Sequence, residues 1–269
     1  MHPVRAWLTP ERPTEPEIVA DPAERRAIKI ELAIVFTVTL GLSGARSLLS
    51  LVDSLLQPVP LSQQAVALNV PQANADLIDL LKQLLSAAQL FAWGALGVYL
   101  LWRAGIRPRM VGLDRTGPGR DLLTGAGLAA LIGIPGLGLY FLAYHLGANL
   151  AVLPSTLDDT WWRPIALIIS AAANAWAEEV LVVGYLITRL RQLGLRENTS
   201  LLFSAVLRGS YHLYQGFGGF LGNLVMGLVF GRVWQRTNRL VPLVVAHTLL
   251  DVVAFVGYAL LRGRISWLP

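Results

Sequence analysis

Long apolar runs alternate with short polar connectors along most of this chain, and the run lengths predict membrane-spanning helices. The first run covers about 30–52, with Arg46 as a single interruption that either snorkels or faces the bundle. Further runs cover about 77–102, 122–146, 164–190, 200–214, 220–233 and 241–261. The pattern predicts an all-α polytopic membrane bundle of seven transmembrane helices, or eight if the stretch at 60–72 dips into the bilayer. Residues 1–26, rich in Pro, Glu, Asp and Arg, lack the basic start and apolar core of a signal peptide and read as a mobile cytoplasmic tail. Residues 27–163 then form an N-terminal set of helices and loops, 164–261 the helices that carry the chemistry, and 262–269 a short C-terminal tail.

The connectors differ in charge. Arg103, Arg107, Arg109, Arg115 and Arg120 follow the second run, Arg189, Arg191 and Arg196 the fourth, and Arg232, Arg236 and Arg239 the sixth. The positive-inside rule puts these in the cytoplasm together with the N-terminus. The loop with Pro58, Pro60 and Pro71 has no basic residue, and the loop with Asp158, Asp159, Trp161 and Trp162 is acidic and aromatic, so both read as outside. The tryptophans at 161, 162 and 267 read as interface anchors. Seven spans leave Arg262 and Arg264 outside, where they fit poorly.

Composition agrees with a membrane setting. Of 269 residues 54% are hydrophobic and 14% charged, and the mean hydropathy is +0.54, whereas soluble domains are about 25% charged. Lys29 and Lys82 are the only lysines, so the net charge of +5 rests on arginine, which favours lipid phosphates. No basic stripe with interleaved aromatics is present, so nucleic acid is not an expected partner. The absence of Cys excludes disulfides, thiolate metal sites and a cysteine nucleophile.

Against this background Glu178 and Glu179 stand out, adjacent inside an apolar run. A charge at that depth costs ~2.5 to 3.5 kcal/mol on insertion scales and usually faces a cavity or a partner. His212 and His247 lie in later runs, and helical rise puts Glu178, His212 and His247 at ~16, ~18 and ~10 Å from the cytoplasmic ends of their helices. His247 and Asp251 are four apart and share a helix face, as do Ser204, Arg208 and His212, a ladder that aims Arg208 into the same interior. The two glutamates point ~100° apart, so one is the reactive group and the other its support. His145 and His2 have no such company. A purely structural carboxylate bonded to backbone or arginine is the plain alternative, but two acids with two histidines exceed what packing requires.

The segments AEEVLVVGYL (177–186), SAVLRGSYHL (204–213) and AHTLLD (246–251) resemble the three motifs of the CPBP family, the CaaX proteases and bacteriocin-processing enzymes. The resemblance implies an intramembrane peptidase, a helical bundle with a cavity open to the cytoplasm, in a bacterial cell membrane. Its substrate would be a hydrophobic peptide or membrane-anchored protein, with a prenylated C-terminus among the options. By position, Glu178 would activate water, His212 would assist or bind that water, His247 and Asp251 would stabilise the oxyanion, and Glu179 would support. Family members usually carry arginine where this chain has Val183, and an aromatic where it has Arg208. Arg208 is therefore expected to replace the missing arginine from the neighbouring helix. Glu178, His212 and His247 also suit a divalent metal such as zinc, although HExxH is absent. Metal-assisted and metal-independent routes both stay open. A proton-coupled transporter and a catalytically silent scaffold are the other classes that the same residues allow.

Overall fold

The computed structural model describes Trp7 and residues 16–261. Asp21 opens α1 (Pro22–Val38) by accepting the Glu24 backbone N–H at 3.0 Å, with proline at the first helical position where no N–H is needed. The helix therefore starts inside the segment read as a tail, and Arg25 ties it down by donating to the carbonyls of Val19 and Leu193 at 3.0 and 2.7 Å. At Thr39 the chain bends by 51° into α2 (Leu40–Leu56), and the Thr39 hydroxyl returns to the Val35 carbonyl at 2.6 Å. The first expected span is thus a bent pair.

Among the described residues five helices are long and apolar enough to cross a membrane: α3 (Asp76–Arg103), α4 (Pro118–His145), a continuous helix over Arg163–Gln192, α8 (Phe217–Thr237) and α9 (Val241–Leu261). The bent pair makes a sixth. The continuous helix comprises α5 (Arg163–Glu178), a π-helical stretch (Glu179–Tyr185) and α6 (Leu186–Gln192). The expected span at 200–214 is corrected. Its helix, α7 (Glu197–Ser210), has 14 residues and measures about 21 Å, short of a hydrocarbon core of ~30 Å. The stretch at 60–72 is not a span either. Bracketed by Pro60 and Pro71, it holds β1 (Ala65–Asn69), which pairs in parallel with β2 (Ala151–Ser155), Ala65 opposite Ala151 and Asn69 opposite Ser155.

This strand pair marks one end of the bundle. The α7–α8 turn belongs to the same end: Leu150 N–H donates to the Gln215 carbonyl at 3.0 Å, and Phe217 N–H to that of Ala148 at 3.0 Å. At the other end, Leu240 N–H donates to Gly112 O at 3.2 Å, the Trp234 indole to Val111 O at 3.1 Å, and Arg239 to Asp114 at 2.7 Å and to Asp121. The connectors free of lysine and arginine and the arginine-rich ones are thereby segregated to opposite ends. The arginines are more than topology signals, because Arg189 is buried and holds Glu31 of α1 with Nε and Nη2, each at 2.9 Å. Trp161 is 78% exposed, as an interface anchor should be, but Trp162 is only 3% exposed and donates to Asp76 Oδ1 at 2.7 Å. Arg262, Arg264, Trp267 and the whole tail at 262–269 lie outside the described residues.

The main core runs along the middle of the bundle, from Val180, Leu181, Val182, Val183 and Ile187 to Phe230, Trp234, Leu240 and Leu243. Large apolar side chains such as Leu123 and Ile134 face outward, which suits hydrocarbon as the surrounding solvent. Close helix approach is built from small residues. At Gly227 of α8 a Cβ would sit 2.9 Å from the Ala205 Cα of α7, so glycine there lets the two helices touch at the level of Arg208.

Candidate active site

Alanines at 166, 171, 173, 175 and 177 keep α5 slim and buried on opposite sides, and the helix lies close to α3 and α9. At Glu179 the helix widens to i→i+5 hydrogen bonding, and every residue from Glu179 to Tyr185 is buried. The Ser204 hydroxyl donates to the Val182 carbonyl at 2.7 Å, so α7 supplies a partner to the altered backbone. Such stretches occur frequently at functional sites, and this one begins on the second glutamate.

The two carboxylates diverge and take different partners. Glu179 Oε1 receives Arg208 Nη2 at 2.6 Å and His247 Nδ1 at 2.8 Å, and the Glu179 and Arg208 side chains are both 0% exposed. Glu178 Oε2 receives the Tyr211 hydroxyl at 2.6 Å. A carboxylate in an ion pair only accepts, so His247 carries its hydrogen on Nδ1, and Nε2 turns toward Asp251 Oδ2, 3.7 Å away. Asp251 in turn accepts from Asn174 Nδ2 at 3.0 Å, and its side chain is 17% exposed. His212 lies beyond the end of α7, not on it, because the helix closes at Ser210. Its Nδ1 meets the Arg208 carbonyl at 3.0 Å, and since a carbonyl only accepts, Nε2 is left as an acceptor. The His212 ring packs against Tyr211, with centroids 4.8 Å apart.

All six residues singled out in the sequence thus lie in one cluster where α5, the end of α7 and α9 meet. Arg208 does reach across to a glutamate, and Val183, where an arginine was expected, is packed in the apolar core. Tyr211 and Asn174 were not anticipated. Asn174 had a signal, since it stands four residues before Glu178, on the same face of a helix rich in alanine. Tyr211 stands three residues after Arg208, on the same side of the chain.

The metal reading fits this arrangement poorly. Among the described residues no group of three or more His, Asp or Glu converges in a way that would hold an ion.

Neither a curated protein nor a solved structure matches the chain. Residues 160–253, an interval that contains both glutamates, Arg208, both histidines and Asp251, match a family model described as type II CAAX prenyl endopeptidase, Rce1-like. Over that interval the chain is similar to the Rce1-like family.

Proposed function

We propose that the chain is an intramembrane endopeptidase in which Glu178 activates the attacking water. The observation that carries this reading is the inequality of two adjacent carboxylates. Glu179 is committed to Arg208 and His247, whereas Glu178 is held only through Oε2 by one hydroxyl and has its other oxygen for water. Water is too weak a nucleophile for an amide without a base, and a carboxylate fixed in orientation is a competent one.

In this reading Glu178 takes a proton from water as the water oxygen bonds to the carbonyl carbon. His212 Nε2, an acceptor, holds the second water hydrogen. His247 in its doubly protonated form keeps Nδ1–H on Glu179 and donates Nε2–H to the developing oxyanion. Asp251, held by Asn174, orients that ring. Collapse of the tetrahedral intermediate breaks the C–N bond, and Glu178 returns its proton to the leaving amine. Arg208 does for Glu179 what an arginine at 183 would do from within the same helix. The substrate is a hydrophobic or membrane-anchored protein segment, with prenylated peptides as one class. The host is a bacterial cell membrane, and the charge segregation favours a cytoplasmic N-terminus.

The test is cleavage of a mixture of hydrophobic and prenylated peptides by the purified protein in lipid, with products identified by mass spectrometry. Glu178→Gln should lose at least ~10²-fold in rate with unchanged folding, the scale of a general base. Equal cleavage by parent and variant would remove Glu178 from the chemistry.

A further inference from the structure

Several arginines at the arginine end have acidic partners within the protein. Arg189 holds Glu31, Arg239 holds Asp114 and Asp121, and Arg191 Nε lies 2.9 Å from Glu197 Oε1. The start of α7 is arranged differently. The position before its first turn, where Ser, Thr, Asp or Asn would accept a backbone N–H, is Arg196, and no side chain caps the helix. Glu197, the acid of that first turn, is turned toward the protein, with Oε1 beside Arg191 and Oε2 accepting from Gln235 Nε2. Asn198 and Thr199, the next two residues of the uncapped turn, are exposed.

A cation of α8 reaches the same turn. Arg232 is 5% exposed, and its Nη2 donates to Asn198 Oδ1. Its Nη1 is buried and has no hydrogen-bond partner among the described residues. Buried donors are nearly always satisfied, so a half-used guanidinium beside an uncapped helix start calls for an acceptor that carries negative charge. Arg236 follows one turn along α8, exposed, with its guanidinium 5.1 Å from the Trp7 ring centroid, and Arg196 is exposed as well. The surface changes character within one helical turn. Leu202 and Phe203 stand four residues after Asn198 and Thr199, and with Val206 they are exposed apolar side chains, so the uncapped turn lies at the rim of the hydrocarbon-facing surface.

We infer that the N-terminus of α7, together with Arg196, Arg232 and Arg236, binds the phosphate of an acidic membrane phospholipid, whose acyl chains run along Leu202, Phe203 and Val206. The open N–H groups and the helix dipole favour an anion at this end, and Arg232 Nη1 supplies a charge-assisted donor. Free phosphate offers the same oxygens but leaves the apolar side chains without a partner, which is why the occupant is a lipid. The bound headgroup fastens the start of α7 to α8. This site stands whether or not the chain cleaves peptides.

The test is binding of phosphatidylglycerol to the purified full-length protein in neutral detergent, followed by native mass spectrometry, with phosphatidylcholine as reference. The parent should take up phosphatidylglycerol saturably and in preference to phosphatidylcholine. N198D puts a carboxylate of the chain's own at the helix start, and R196Q/R236Q removes two exposed charges without touching the buried Arg232. Each should weaken phosphatidylglycerol binding ~10-fold, the scale of one charge-assisted hydrogen bond, with the melting temperature retained. R107Q/R109Q, which removes two exposed arginines from another connector, should leave binding near that of the parent. Equal weakening by R107Q/R109Q would mean diffuse attraction to a basic surface and would overturn the inference. Unchanged binding in folded N198D and R196Q/R236Q would overturn it too. Displacement of the lipid by an equal concentration of inorganic phosphate would reject the lipid as occupant.

Discussion

Two arginines, Arg189 and Arg208, each hold a glutamate on a neighbouring helix, and the difference between the two pairs separates architecture from chemistry. Arg189 is complete. Nε and Nη2 grip Glu31, Nη1 donates to Gln192 Oε1 at 2.8 Å, and the Tyr185 hydroxyl adds a bond to Glu31 at 2.7 Å. Glu31 is 25% exposed, at the edge of the bundle. Arg208 is fully buried yet uses one nitrogen on Glu179, and among the described residues its Nε and Nη1, and Glu179 Oε2, have no hydrogen-bond partner. Buried polar groups are nearly always satisfied, and exceptions concentrate where function overrides stability. The closed network fastens α1 to α6, and the open one sets the geometry around Glu178.

The largest effect is therefore expected at Arg208. Arg208→Leu leaves a carboxylate uncompensated in the interior, a loss of about 3–5 kcal/mol, and cleavage should fall steeply because Glu179 also anchors His247. Arg208→Lys keeps the charge without the fork and should fall between. The decisive variant replaces both partners, Arg208→Leu with Glu179→Leu. Removing a buried pair together is often neutral for folding, so thermal stability in detergent should largely recover while cleavage stays lost. Recovery of both would make the pair structural and dissolve the distinction.

Breaking the other network should do the reverse. Glu31→Gln removes the charge from a hydrogen-bonded pair that water partly reaches, and is expected to lower stability by about 1–3 kcal/mol. Peptide cleavage per folded molecule should remain near that of the parent, because no atom of Glu31 meets the Glu178 cluster. A deep loss of turnover with normal melting would show that the α1 contact also sets the site.

These networks were unequally legible in the sequence. Glu178, Glu179, His212, His247 and Asp251 stood out because ionisable groups in apolar runs violate the cheapest arrangement for a membrane helix, and such violations are visible without coordinates. Helical spacing then paired His247 with Asp251 and aimed Arg208 inward. Glu31 and Arg189 escaped notice because charges near the ends of apolar runs look like topology signals. The π-helical stretch was invisible, since i→i+4 and i→i+5 bonding share one composition and the Ser204–Val182 contact comes from another helix. Hydropathy likewise ran past the end of α7, because the apolar run to 214 records low polarity and not helix length. The β1–β2 pairing joins segments 86 residues apart in register, which no local pattern announces.

A third arginine, Arg239, tests whether completeness or burial sets the energy. It holds Asp114 and Asp121 at the water-facing arginine end, and the Arg239 and Asp114 side chains are 24% and 21% exposed. Asp114 is held at about 2, below the ordinary 3.8, first by the Thr116 hydroxyl and backbone N–H and then by Arg239. A carboxylate depressed in the folded state contributes stability that is fully present above its unfolded value and fades as pH falls from about 3.8 toward about 2. Asp114→Asn should cost less than about 1 kcal/mol at neutral pH, because solvent weakens the pair and Asp121 still holds Arg239. The gap in melting temperature between parent and variant should then close as the buffer is taken from pH 5 to about pH 2. A gap that persists unchanged at the acid end would mean that the Thr116 turn, not the charge, carries the contribution, and completeness of hydrogen bonding would outrank ion pairing in all three networks.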